Sequence, residues 1–350
     1  MLKSLQKAFK VKEVRDRLLY TFMMLVVIRI GCCLPIPGVD PSYLHDFFSN
    51  LQNSGMGFFN AITGGSFSSM SIFALSITPY ITSSIIMQLL TIAIPKLEEM
   101  QKDGEDGRKK IAEYTRYLTV GLALFESCAM AVGLGGKGLL LEDHRNIWGY
   151  LTVVAAMTAG SALLMWIGER ITDNGVGNGI SIVLLINIVS GTPQDMMTLY
   201  ERFMAGRSVA VAIVSGIIVL AIIVAIVVFV LVLNDAERRI PVQYSKKMQG
   251  RRMIGGQSTY IPLKVNTANV IPVIFASSIM SMPVMIAQFF HVDYSTIGGK
   301  ILLALSSSNW FKPEAPAYSI GMLVYIVLVV LFAYFYTSIT FNPLEVANNM

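Results

Sequence analysis

The chain has 350 residues, of which 54% are hydrophobic and 14% charged, and its mean hydropathy is +0.61. Soluble globular domains carry roughly 25% charged residues, so this composition excludes one. A formal net charge of +5 would suit a nucleic-acid surface only if the basic residues were gathered on one, and their distribution along the chain gives them a different role.

Apolar runs near the roughly 20 residues needed to cross a bilayer recur along the sequence. They lack the alternation of membrane barrel strands, and a spanning backbone must satisfy its own polar groups. The expected fold is therefore all-α, a polytopic transmembrane helix bundle. Before the first span, Leu2, Leu5, Phe9 and Val14 stand among lysines, a helical pattern suited to lying on an anionic membrane surface.

In chain order the expected spans are Leu18–Leu34, Ile72–Ile94, Tyr117–Leu134, Trp148–Ile167, Ile180–Val189, Val209–Leu233, Asn269–Phe290 and Tyr318–Thr340. The first ends in LPIPG instead of a small-residue cleavage site, so it does not read as a removable signal peptide. Arg29, near its outer end, is expected to snorkel to the interface in preference to pairing inside. Between the first two spans, Met56–Ser71 (MGFFNAITGGSFSSMS) is too short and interrupted to cross. It reads either as a surface loop or as a re-entrant segment, which would require a cavity or protein around it. The fifth span follows GVGNG and has about ten firmly apolar residues; short, Gly-interrupted spans mark central sites in transporters.

The amino-terminal arm and the second, fourth and sixth connections hold twenty of the 27 Lys and Arg residues, against six in the odd-numbered connections. Lys and Arg accumulate on the cytoplasmic side, so both ends of an eight-span chain are expected there. The basic balance thus reads as topology. Cys32, Cys33 and Cys128 suggest neither a disulfide framework nor a metal site. His45, His144 and His291 fall in expected outer loops, and neither HExxH nor paired intramembrane aspartates occur. The expectation is no enzyme, no catalytic residue, no metal and no cofactor. With no nucleotide-binding loop visible, energy has to come from a partner.

Several long motifs, in unbroken order, resemble the SecY family of protein-conducting channels. They are GGSFSSMSIFALSITPYITSSIIMQLL from Gly64, EDGRKKIAEYTRYLTVGLALFES from Glu105, MWIGERITDNGVGNGISIVLL from Met165, ERRIPVQYSKKMQGRR from Glu237 on to VIPVIFASSI, and FAYFYTSITFNPLEVANN from Phe332. The resemblance implies eight spans of a ten-span fold built from two inverted five-helix halves, the last two spans lying beyond Met350. Residues 1–190 would be the first half, with the arm and a plug at about 56–71. Residues 191–350 would be an incomplete second half, three of five helices, with a basic cytoplasmic loop at 234–264.

The resemblance also implies roles. Ile77, Ile81, Ile180, Leu184 and Ile274 match the family's aliphatic pore ring, which seals by dewetting and by closing around a passing chain. Phe58, Phe59, Gly64, Gly65 and Ser66 belong to the plug, whose small serines are expected to let it move without large apolar penalties. Thr82, Gln88, Glu126, Asn266 and Asn269 are the polar residues of a lateral gate; polar groups inside spans are expensive and usually functional. Arg238, Arg239, Lys246, Lys247, Arg251 and Arg252 form a hairpin-like loop that docks the polyanionic ribosome and the SecA motor ATPase. The further implied partners are the SecE and SecG subunits, signal sequences, unfolded precursor chains and membrane lipids, with no DNA. The implied location is the bacterial cytoplasmic (inner) membrane, and the implied function is translocation of secretory polypeptides and lateral release of membrane proteins. The competing reading is a secondary transporter for a small solute, with a midplane pocket of converging polar ligands.

Overall fold

The fold is a computed structural model that describes residues 9–40, 63–135, 138, 140, 141, 145–242, 247–249, 252–254, 259–268, 270–289, 296–306, 309, 310 and 316–340. The helices, in chain order, are α1 (Lys12–Cys33), α2 (Thr78–Ala93), α3 (Pro95–Lys102), α4 (Glu105–Leu134), α5 (Ile147–Asn174), α6 (Gly179–Phe203), α7 (Val209–Asp235), α8 (Ile271–Phe289), α9 (Ile297–Leu305) and α10 (Ile320–Thr340). All eight expected spans fall on one of these. By length and apolar composition, Ile147–Asn174, Gly179–Phe203, Ala210–Asp235 and Ala317–Ser338 can each cross a membrane, and α2 with the start of α3 makes a pair bent by 107°.

The bend has a local cause. Pro95 opens α3, and the residue before a proline is pushed out of the helical region; Ile94 sits at φ −113°, ψ 110°. Proline also explains the start of α2. Pro79 lies in its first turn, where no backbone N–H is needed. Residues 72–77, expected to be the first turns of this span, are instead a series of turns ahead of it.

The fifth span also differs from expectation. It is a helix of 25 residues that runs through Pro193. The apolar run ends near Val189, but polar side chains end a hydrophobic stretch without ending the backbone ladder.

The chain divides into two compact units, Met1–Pro193 with Ser278–Val324, and Gln194–Ser277 with Tyr325–Met350. In the first, α4 packs against both α2 and α5, and α1 lies on α5. Two apolar clusters form its core. One gathers Ile36, Phe67, Met70, Ala74 and Leu75 against Ala123, Met130 and Ala131 of α4 and Val153 and Met157 of α5. The other joins Ile28 and Cys32 of α1, Phe73, Ile77, Leu164, Ile167 and Ile171 of α5, and Val183 of α6. The loop between α1 and α2 is thus part of both cores.

In the second unit, two antiparallel two-stranded ladders follow α7. Strands β1 (Glu237–Val242) and β4 (Thr259–Lys264) pair with Arg239 opposite Pro262 and Ile240 opposite Ile261. Between them, β2 (Lys247–Gln249) pairs with β3 (Arg252–Ile254). The expected hairpin is therefore present as one nested arm, the only sheet structure among the described residues. The first turns of α8 meet α10 through stacked Phe275 and Phe332, with ring centroids 5.2 Å apart, and through Ser277 and Tyr325, 3.4 Å between hydroxyls.

Candidate functional site

Four of the five residues assigned to the aliphatic ring come together in the first unit. Ile77 is fully buried and precedes α2; the amide of Ile81 donates to its carbonyl at 3.1 Å, so the two sit one turn apart. Ile180 and Leu184, one turn apart in α6, join them in the same apolar cluster as half-buried members. The floor of this meeting point is Gly168 of α5. A Cβ there would lie 2.8 Å from Cδ1 of Ile180 and 3.6 Å from Cδ1 of Ile77, so the bare backbone makes room for both side chains.

The start of α6 is fixed by its own sequence. Asn178 caps it, its Oδ1 accepting from the amides of Ile180 at 3.0 Å and Ser181 at 3.3 Å. Thr172 of α5 accepts from the amide of Gly179 at 2.9 Å. Gly179 carries no side chain because its α-carbon faces the carbonyl of Gly168 directly. Ile274, the fifth assigned residue, lies half-buried in the first turn of α8, in the second unit.

The segment assigned to the plug is described from Thr63 onward; Phe58 and Phe59 lie outside the described residues. The expectation that small serines leave this segment lightly held is corrected by its neighbours. Phe67, Met70 and Leu75 are among the largest fully buried side chains. Backbone bonds from Ile36 to the Met70 carbonyl and from Ile72 to the Leu34 carbonyl, both 3.0 Å, tie it to the chain after α1. Ser66 is buried with its hydroxyl against the Cys32 thiol, and its carbonyl accepts from the Ser71 amide at 3.0 Å. Gly64 and Gly65 supply left-handed turns, φ +65° and +81°. The hydroxyls of Ser68, Ser69 and Ser71 donate to the local carbonyls of Gly65 and Ser66, while the interleaved apolar residues anchor the segment.

Of the polar residues assigned to a lateral gate, Thr82 donates to its own helix, at the Thr78 carbonyl 3.1 Å away, and Gln88 is exposed. Glu126 has one buried carboxyl oxygen, Oε2, without a hydrogen-bond partner among the described residues. Asn266 lies half-buried before α8, and Asn269 falls outside the described residues. The bonds that do cross between helices are others. Ser83 of α2 shares one with Thr119 of α4, both fully buried, and Ser127 of α4 shares another with Thr158 of α5 at 2.9 Å. Small hydroxyls at helical spacing carry little signal beside a carboxylate, so these pairs were not singled out from sequence.

Arg29 differs from expectation as well. It is half-buried and donates from Nη1 to the Ser190 hydroxyl of α6 at 2.9 Å. Arg116 of α4 donates from Nε to Glu169 Oε1 of α5 at 2.7 Å. That hydrogen bond raises the Arg116 pKa above its ordinary value.

In the basic arm, the Arg239 guanidinium lies over the Tyr260 ring, 4.7 Å from its centroid. Arg238 stands opposite Leu263, and Lys247 opposite Ile254. Arg252 pairs with Gln249, while Lys246 and Arg251 lie outside the described residues.

The family model described as SecY matches residues 71–350. The protein translocase subunit SecY of Streptomyces scabiei is 45% identical over 362 residues, covering 100% of this chain and 79% of that protein. Its counterpart in Halalkalibacterium halodurans is 40% identical over 353 residues, covering 100% and 79%. Among solved structures, a protein-conducting channel superposes with a TM-score of 0.55 at 20% identity, over 91% of this chain and 71% of that one. Sec61 in the canine ribosome–channel complex from the endoplasmic reticulum gives 0.56 at 21% identity, over 95% and 75%. The structural likeness shows a shared fold, and the sequence matches go further: the chain belongs to the SecY family.

Proposed function

We propose that Ile77, Ile81, Ile180, Leu184 and Ile274 form the seal of the channel, closed on its outer side by the plug at about 56–71. As a SecY-family member the chain is a multi-pass subunit of a bacterial protein translocase, a protein-conducting translocation channel, and nothing favours the small-solute transporter. The observation that carries the seal is the meeting of Ile77, from the turn before α2, and Ile180 of α6 over the bare backbone of Gly168. Narrow aliphatic constrictions dewet, and flexible branched side chains can close around an extended polypeptide.

The remaining assignments follow from the same reading. Glu126, Thr82, Gln88, Asn266 and Asn269 border a lateral gate through which signal sequences leave for lipid. The arm of β1–β4 docks the ribosome or the SecA motor, its cations facing a polyanionic surface. SecE and SecG are the companion subunits. The basic loops favour a cytoplasmic amino terminus. The halves divide near residue 190, with the amphipathic arm of residues 1–17 on the membrane surface.

The test is a photocrosslinker at Ile274, with Ile223 of α7 as the control, in assembled translocase holding a stalled secretory precursor. Adducts at Ile274 and none at Ile223 place the polypeptide within the seal. With folded, inserted protein, no adduct at Ile274 removes that residue from the pore.

A further inference from the structure

The segment 63–76 is held at both of its ends by a single turn of α6. At the first end Gly64 adopts φ +65°, and a Cβ there would lie 2.9 Å from the Asn187 carbonyl oxygen and 2.9 Å from the Ser190 hydroxyl. At the second end Asn187 donates from Nδ2 to the Ser76 hydroxyl at 3.0 Å. Both partners are sealed from solvent, Asn187 at 1% exposure and Ser76 at 0%. Ser190 donates to the Asn187 carbonyl at 2.7 Å and accepts from Arg29 at 2.9 Å. A continuous polar chain, Arg29–Ser190–Asn187–Ser76, therefore runs from α1 through α6 to the residue that precedes Ile77.

Ser76 is not at rest in this arrangement. It has φ +53°, and Met70 has φ +41°, the two non-glycine residues with positive φ among the described residues. The left-handed region is unfavourable for residues with a Cβ, and such residues persist only where surrounding contacts hold them. Met70 is held by burial in the apolar core. Ser76 is held by its own amide, which donates to the Phe73 carbonyl at 2.8 Å, and through its hydroxyl by the amide of Asn187. The turn between residues 70 and 76 is thus strained at both ends, and at Ser76 one buried side-chain hydrogen bond ties it to α6.

We propose that Asn187 is a latch that holds residues 63–76 in the closed channel, with Ser190 and Arg29 positioning it. The proposal rests on reading residues 56–71, which this segment overlaps and continues, as the plug. The other half of the amide gives the latch a release. Asn187 Oδ1 is buried with no partner among the described residues, and buried polar atoms left unpaired disfavour the dry state. Water admitted when the segment leaves would satisfy Oδ1. The Nδ2 atom therefore favours the closed arrangement and the Oδ1 atom the hydrated open one, so the segment is retained without being locked.

The test compares Asn187→Leu, Ser76→Ala and the double variant in assembled translocase reconstituted into liposomes. Two readouts are taken, hydrogen exchange of the peptide covering 63–76 and ion conductance of the idle channel. Loss of one buried hydrogen bond is expected to raise both by about fivefold in Ser76→Ala, and by less in Asn187→Leu, which removes Oδ1 as well. The double variant should do no more than Ser76→Ala, because each substitution removes the same bond. Unchanged exchange in both single variants, or a double variant equal to the product of the two, would overturn the latch. Faster exchange with unchanged conductance would uphold the latch and reject the plug reading. If Asn187→Leu fails to insert, Ser76→Ala decides alone, since it deletes only the hydroxyl.

Discussion

Ile77 and Ile180 meet over Gly168, with both Cδ1 atoms within 3.6 Å of where a methyl group on that glycine would stand. One residue comes from the turn before α2 and the other from the first turn of α6, and α5 supplies only backbone between them. Adding a methyl would push into Ile180, a flexible side-chain end that can shift. Overpacking of this kind costs about 1–3 kcal/mol. Gly168→Ala is expected to disturb the seal and raise idle ion leak in reconstituted channels. Gly121→Ala in α4, where a Cβ meets nothing within 4 Å, is expected to leave the leak unchanged and to raise stability by up to ~1 kcal/mol, the helix-interior difference between the two residues.

The buried Ser83–Thr119 bond joins α2 to α4. Interhelical polar contacts in membranes average about 0.6 kcal/mol. Unfolding of Ser83→Ala, Thr119→Ala and the double variant in bicelles should give a coupling near that size. Each hydroxyl keeps a bond within its own helix, Ser83 to Pro79 and Thr119 to Thr115, so neither single variant is expected to fail to insert.

Glu126 stands one residue before Ser127, which bonds across to Thr158. If α4 borders the lateral gate, Glu126→Leu should change the threshold for weak signal sequences. Export of defective signal variants, measured against a strong signal, checks this; identical thresholds would remove Glu126 from the gate.

The Arg116–Glu169 pair is only partly shielded, with side chains 48% and 24% exposed. An exposed pair contributes about 0–1 kcal/mol, so Glu169→Gln should lower stability by no more than that, and less at high salt. The sign of its pH dependence follows from Arg116. Its folded pKa is raised, so its contribution is complete at neutral pH and is lost only as pH climbs through that raised value. Melting curves of wild type and Glu169→Gln should keep a constant separation from pH 7 to about 10, below the range where an arginine titrates.

The Arg239–Tyr260 stack is expected to stiffen the basic arm. Cation–π contacts at exposed sites are worth about 0.5–1 kcal/mol. Arg239→Gln should therefore act twice, loosening the β1–β4 ladder and removing one cation. Binding to ribosomes titrated against salt should show a slope shallower by roughly 1; Tyr260→Leu should weaken binding without changing the slope.

Composition and periodicity made the membrane bundle legible, because hydrocarbon forces apolar runs of a fixed minimum length and leaves the backbone few options. The order of basic loops gave an expected orientation for the same reason. The ends of the elements were less legible. The late start of α2 depends on the strained turn at Ser76 as well as on Pro79, and α6 continues through polar residues and Pro193 that end the hydrophobic signal.

Sequence by itself determined that this chain is a helical membrane protein with a basic hairpin arm, and its motifs determined the family. Both are written in side-chain chemistry and spacing, which need no partner in space. Tertiary structure alone decided that Ser83 finds Thr119, that Arg29 reaches Ser190, and that Asn187 fastens Ser76 from 111 positions away. Such bonds are between small polar groups common in any sequence, and only the packing of helices selects which of them meet. The same packing turned a Gly- and Ser-rich stretch, outwardly a loop, into a core segment, because Phe67, Met70 and Leu75 between its small residues had α4 and α5 to bury against.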